Sequence, residues 1–335
     1  MNISKEPFGS IDGKEIFLYT LKNDNGIEVK ITNYGCIITA ILIPNGLSIK
    51  KNIVLGFDTL SEYLSNEYLS SYPYFGATIG RYANRIANGS FNIDGKQFEV
   101  TKNHGKHQLH GGFKGFDKAV WKEKDILNSL ILEHNSADGE EGYPGNVTIR
   151  TKFSLENTNK LIIEYFALTD AATPINITNH TYFNLTNKQD ILDHQVFINA
   201  DKITETDKEL IPTGKFIDVE NTPYDFRELH SVKEKINNLP FGYDVNYILN
   251  KQQEASAIIS APDTSRKVKL YTTKPGMQFY TGFYIPTLSG KFGSYSGLAL
   301  EPQYFPDSPN NSSFPNCILQ PNEEYYVKNI FEILF

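Results

Sequence analysis

The chain has 335 residues, 40% of them hydrophobic and 21% charged, with a formal net charge of −7. That balance excludes a disordered polymer, and an acidic chain has little with which to neutralise a phosphate backbone, so no nucleic-acid partner is expected. The 20 Tyr and 22 Phe against two Met and one Trp suit pleated, half-buried surfaces and lean towards sheet.

From the N-terminus, Met1 to Glu15 has no apolar core of signal-peptide length, so no export signal is expected and the protein reads as cytoplasmic. The longest apolar run, Cys36 to Ile43, fits a buried strand and falls far short of a bilayer span, so no membrane association is expected. Ile27 to Ile31, Val147 to Arg150 and Lys267 to Tyr271 alternate apolar and polar residues with the period of a strand. Asp12-Gly13, Asn25-Gly26 and Asp94-Gly95 accept the positive φ of hairpin turns, and Phe91 to Val100 reads as a hairpin around the last of these. Glu156 to Asn159 separates two further strands. Helical stretches are few and short: Asp58 to Tyr63 and Ser231 to Asn238. Strands joined by turns, without interleaved helices, predict an all-β fold, a large antiparallel β-sandwich, with residues 1–335 as a single domain. Cys36 and Cys317 read as buried thiols, since a core of this size needs no disulfide.

No dinucleotide fingerprint, P-loop, nucleophile elbow or paired Cys-x-x-Cys is present, which removes the commonest cofactor-dependent classes. His104, His107 and His110 recur every third residue. That spacing makes a metal site only on a helix, and the flanking glycines oppose one, so His104 and His107 read as solvated loop residues. His110 precedes Gly111-Gly112, which lets a ligand approach the backbone closely, and it reads as a ligand-binding side chain. His180, among Thr and aromatic residues, is either a hydrogen-bonded core histidine or a proton-transfer group. Glu301 carries an apolar strand into Pro302-Gln303, and a carboxylate there is either paired or placed for acid–base work. Asp244 and Arg85, taken alone, read as solvated surface residues.

Taken together, the motifs resemble those of the galactose mutarotase (aldose 1-epimerase) family over essentially the whole chain. They are Gly80-Arg-Tyr-Ala-Asn-Arg-Ile-Ala-Asn-Gly89, Leu109-His-Gly-Gly112 with Gly115-Phe-Asp117 and Trp121, Asp138 to Gly145, Thr178 to Leu185, and Leu300-Glu-Pro-Gln303. The resemblance implies a β-sandwich with an open sugar cleft. It also implies Glu301 as general base and His180 as general acid, with Asn84, Arg85, His110, Tyr182, Asp244 and Gln278 binding sugar hydroxyls or orienting that pair. The implied activity is interconversion of the α and β anomers of free hexoses such as galactose and glucose, with a small aldose as the only partner and neither cofactor nor metal. Two departures fall near the implied cleft: Val245, where members often carry His, and Phe283, where they often carry Asn. Two further readings stand beside this one. An epimerase of a hexose 6-phosphate would need a basic pocket, and a non-catalytic sugar-binding protein would have no need of a matched acid and base.

Overall fold

The computed structural model describes residues 1–46, 49–186, 188–236, 239–250, 254–262, 265–288 and 290–335. Three antiparallel sheets account for most of it. Asn2–Ile11, Lys14–Lys22, Glu28–Thr32, Ile37–Pro44 and Lys50–Asn52 form a five-stranded meander in chain order. A nine-stranded sheet runs from Lys122–Asp125 through Val147–Leu155, Lys160–Thr169 and the C-terminal Tyr325–Leu334 to His230–Ser231. A six-stranded sheet contains Tyr182–Phe183, Leu298–Gln303, Gly276–Tyr280, Asp244–Ile248, Lys202–Thr206 and Pro212–Asp218, in that order. Side chains from all three sheets, including Ile31, Phe153 and Phe279, meet in one hydrophobic core, so the fold is the antiparallel β-sandwich that the alternation predicts.

The expected hairpin is present, and the two expected helices are present but shorter than expected. Ser90–Ile93 pairs with Lys96–Glu99 across Asp94 and Gly95, both at positive φ (52° and 80°), which is the geometry of a type I′ hairpin. The two expected helices are present as Leu60–Tyr63 and Val232–Lys235, and a third short helix that was not expected, Asn66–Ser71, follows the first. Each expected helix starts at a capping box, Thr59 with Glu62 and Ser231 with Glu234, which meets backbone donors that so short a helix would leave unpaired. Residues 237 and 238 of the second expected helix lie outside the described residues. Cys36 and Cys317 are free and buried.

The six-stranded sheet positions the site. Asp244 pairs with Tyr280, Asn246 with Gln278, Gln278 with Glu301, and Tyr182 with Ala299. Because paired residues share a face and side chains alternate, these polar groups and Tyr182 line one side of the sheet. Tyr247, Met277, Phe279, Leu298 and Leu300 fall on the other side, in the core. The sequences Met277-Gln-Phe279 and Leu298-Ala-Leu-Glu301 thus write an apolar layer and a functional layer into the same strands.

Candidate active site

A cleft of about 630 Å³ opens on the polar face of that sheet. Asn84, Arg85, His110, His180, Tyr182, Asp244, Gln278 and Glu301 all line it, although they are spread over more than two hundred positions of sequence. Backbone pairing brings the remote segments together. Arg85–Ile86 pairs with Gln108–Leu109, and the His110 N–H donates to the Asn84 carbonyl at 3.1 Å. Thr178–Asn179 pairs with Thr78–Ile79, and the His180 N–H donates to the Ala77 carbonyl at 2.9 Å. Gly111 allows this close approach: at φ 86°, a Cβ there would lie 2.0 Å from the Gly80 carbonyl oxygen.

At the floor, Nε2 of His180 lies 3.6 Å from Oε1 of Glu301, with both side chains almost fully buried. Burial pushes the His180 imidazole down to about 4. Burial also holds the Glu301 carboxyl well above the usual carboxylate range, with the nearby Asp244 carboxylate adding to the rise and the Arg85 guanidinium opposing it. Both shifts favour neutral forms, because ions are poorly solvated in a protein interior. The other carboxyl oxygen of Glu301, Oε2, has no hydrogen-bond partner among the described residues, so it is available to a ligand.

The wall beside the pair is a hydrogen-bonded chain. Nε2 of Gln278 donates to Oδ1 of Asp244 at 2.6 Å, and Oε1 of Gln278 accepts from Gln303 at 3.3 Å. Nη2 of Arg85 stands 4.0 Å from Oδ2 of Asp244. Asn84, at φ 68°, accepts from the Arg85 backbone N–H at 2.9 Å and from its Nη1 at 3.4 Å. Asp244 and Arg85, which look like surface residues in the sequence alone, are therefore brought together at the cleft wall, a guanidinium donor beside a carboxylate acceptor.

His110 is held in one tautomer. Its Nδ1 accepts the Asn84 backbone N–H at 3.2 Å, so the ring proton of the neutral form sits on Nε2 and points its donor into the cleft. Burial, followed by the neighbouring His180 and Arg85, keeps this imidazole well below its ordinary value and hence neutral. His110, His180 and Glu301 each offer an atom within 4.8 Å of the others. A metal would require the Nε2 lone pair of His110, which the Asn84 contact commits to carrying a proton, so the donor set suits hydrogen bonding better than ligation. His104 and His107 do not join it as ligands. They form a two-residue bridge, His104 is exposed at the cleft margin, and His107 turns away to accept the Asn88 N–H at 3.0 Å. The reading of His107 as solvated is corrected here, since it is 5% exposed and tied to the backbone.

Tyr74 and Tyr280 line the cleft without having been singled out in the sequence. Tyr74 packs edge-on against His110, with ring centroids 4.7 Å apart, and stacks on His180 at 5.8 Å. Tyr182 lies 4.8 Å from His180 on another side. The imidazoles are thus packed in place by aromatic rings.

The sequence profile described as Aldose 1-epimerase matches residues 18–332. A galactose mutarotase of Bos taurus is 39% identical over 317 residues, covering 92% of this chain and 91% of that protein. An aldose 1-epimerase of Haemophilus influenzae is 35% identical and covers 94% of each chain. The crystal structure of a galactose 1-epimerase from Lactobacillus acidophilus superposes with a TM-score of 0.87 at 26% identity, covering 99% of this chain and 98% of the other. Family profile, full-length relatives and fold agree, and the chain belongs to the aldose 1-epimerase family.

Proposed function

We propose that this protein is a mutarotase that interconverts the α and β anomers of free hexoses such as galactose and glucose, with Glu301 as base and His180 as acid. The observation that carries this is the buried His180–Glu301 pair, 3.6 Å apart at the floor of a cleft lined by hydrogen-bonding side chains. Transfer of the single shared proton from the carboxyl to the imidazole creates carboxylate and imidazolium without any change in total protonation. The carboxylate then takes the proton from O1 of the sugar, a carbonyl forms at C1 as the C1–O5 bond breaks, and the imidazolium gives its proton to O5. Rotation about C1–C2 presents the other face of the carbonyl, and the same two transfers in reverse close the ring. General acid–base catalysis supplies about 10²- to 10⁴-fold for such positioned groups. Arg85, Asp244, Gln278, Asn84 and the Nε2–H of His110 would hold the hydroxyls, and Tyr182 would pack against the sugar's C–H face. None of these steps calls for a cofactor or metal.

Among the described residues lining the cleft, Arg85 is the only Arg or Lys. Arg81 points elsewhere, donating to the Pro144, Gly145, Ser136 and Ala137 carbonyls. A cleft with one guanidinium already facing a carboxylate favours a neutral hexose over its 6-phosphate. We place this activity in hexose metabolism and in the cytoplasm, a location supported by two free buried thiols, which fit a reducing compartment. The test is optical rotation of freshly dissolved α-galactose, followed with and without protein, beside galactose 6-phosphate. Acceleration of galactose alone is expected. Acceleration of the phosphate only, or of neither sugar, would contradict the reading.

A further inference from the structure

Lys274 is buried, does not line the cleft, and has no part in the proton transfers described above. Its Nζ donates to Oδ1 of Asn176 at 3.2 Å and to the Tyr325 hydroxyl at 2.8 Å, and sits 3.9 Å from the centre of the Tyr304 ring. Among the described residues no carboxylate pairs with it. An amine enclosed without an anion gives up hydration that neutral partners only partly replace. Burial accordingly holds it well below the usual lysine range. A methionine would fill similar space without that loss, so packing alone does not account for the amine.

Asn176 does account for it. This side chain is fully buried, and both ends of its amide are committed. Oδ1 accepts from the Tyr304 backbone N–H at 2.8 Å as well as from Lys274. Nδ2 donates to the Ala83 carbonyl at 3.2 Å and to the Tyr304 carbonyl at 3.3 Å. The backbone of Asn176 joins the same loop, donating to the Arg81 carbonyl at 3.0 Å and accepting from the Ala83 N–H at 2.8 Å. An amide turned the other way would set N–H against N–H and oxygen against oxygen, so the two donors at Oδ1 fix its orientation. Chain position shows what the amide ties together. Ala83 immediately precedes Asn84 and Arg85, and Tyr304 follows the strand that carries Glu301. Asn176 leads into the segment of His180, and Lys274 leads into the strand that carries Gln278. Four segments that supply the cleft therefore meet at one buried amide that is not itself part of the cleft lining.

We propose that Lys274 and Asn176 are positioning residues for the acid–base reaction: the amine locks the Asn176 amide, and the locked amide sets the separation between Glu301 and the loop of Asn84 and Arg85. This rests on the acid–base reading of the cleft. Misplacement of reacting groups by about 1 Å costs on the order of 10²-fold in rate, which is the scale on which such a tie acts.

The test is polarimetric kcat and KM for α-galactose, with thermal melts, on wild type and Lys274→Met. The variant buries no amine, so its Tm should be no lower than that of wild type. Its kcat should nonetheless fall about ten- to a hundredfold, with KM changed less than about threefold and the limbs of the pH profile in place. A lysine that served stability alone would do the reverse, lowering Tm and leaving kcat of the folded enzyme intact, and that result would overturn the proposal. So would a kcat equal to that of wild type at any Tm. Should Lys274→Met not fold, Asn176→Asp decides. Its carboxylate keeps both donors and gains an ion pair with Lys274, but loses the donations to the Ala83 and Tyr304 carbonyls. The same fall in kcat is expected there, and wild-type turnover would overturn the proposal. Wild type is the control on the underlying reading. If it does not speed mutarotation at all, the acid–base reading has failed and the positioning role falls with it, whereas active wild type beside equally active variants removes the positioning role alone.

Discussion

Nε2 of His180 sits 3.6 Å from Oε1 of Glu301, and water reaches almost none of either side chain. The separation is too long for a strong hydrogen bond and short enough that a ligand oxygen can lie between or beside the two groups. Burial disfavours charge at both sites, which holds the pair in its neutral form. A store of neutral acid and base, converted to ions only by internal transfer, suits a reaction in which one proton leaves the sugar as another arrives.

The same burial has a cost in stability. Glu301 has a folded-state pKa above its unfolded value, so the folded chain binds a proton that the unfolded chain releases. Its contribution is fully present below the unfolded carboxyl pKa and is lost as pH rises through the folded one. Glu301→Gln removes that titration. The variant should therefore have a higher Tm than wild type at pH 8, with the difference shrinking as pH falls towards 4.5. Calorimetric melts across this range check the sign, and a variant less stable than wild type at pH 8 would show that the carboxylate is well accommodated.

His180 works in the opposite sense. Its folded pKa of about 4 lies below the unfolded value of about 6.5. The stability that comes from keeping it neutral is complete above pH 6.5 and is lost as pH falls from there towards 4. His180→Asn should flatten the acid side of the stability profile by that window, read from urea midpoints at pH 7 and pH 4.5. An unchanged slope would mean that the imidazole charges as readily in the fold as in the unfolded chain.

His110 should stay neutral, with its proton on Nε2, because the Asn84 N–H occupies Nδ1. Nitrogen-15 NMR of the imidazoles should find the Nε2–H tautomer unchanged from pH 8 to pH 5.5. A ring that titrates near 6.5 would remove it from the role of fixed donor. His110→Ala should cost about 0.5–1.5 kcal/mol in kcat/KM, the range for a hydrogen bond between neutral groups, without moving the limbs of the pH profile.

On the proposed reading, Arg85 positions the sugar through its planar fork of donors and takes no part in proton transfer. Arg85→Lys keeps the charge and loses the planar fork that spans Asn84 and the Asp244 side. Polarimetric kcat/KM should fall to a lower plateau, with kcat reduced as well as binding, because poorly oriented groups react slowly. A wild-type plateau would leave Arg85 with no part in the clamp.

Gly111→Ala tests the backbone that carries His110. A Cβ 2.0 Å from the Gly80 carbonyl, at a φ that side chains rarely adopt, should cost about 1–3 kcal/mol of stability along with most activity. Urea denaturation and polarimetry together check this, and a fully active, fully stable variant would contradict the tight packing described here.

The strands, the Asp94-Gly95 hairpin and the two helices that open on capping boxes were legible because each is written in a few neighbouring residues, whereas the helix Asn66–Ser71 was not read. The site was not legible in that way. Arg85 and Asp244 look like ordinary surface charges until Asn84, Gln278 and each other are in contact, and spacing along the chain says nothing of that. Their assembly came into view only through motifs that resemble a family's. Tyr74 was hidden for a different reason. Among 20 tyrosines, no local pattern marks the one that packs on both His110 and His180, and only the partners across the cleft identify it. His107 misled because a glycine-flanked loop suggests solvent, whereas its ring folds back to cap the Asn88 N–H.

The most direct measurement is polarimetric turnover of α-galactose by Glu301→Gln and His180→Asn, each shown to be folded, beside wild type. If these side chains carry the two proton transfers, each substitution lowers kcat by about 10²- to 10⁴-fold while KM changes little, since Gln and Asn can still hydrogen-bond a hydroxyl. A variant of either residue that keeps near-wild-type kcat would contradict the assignment of that residue and, with it, the shared-proton account of the site.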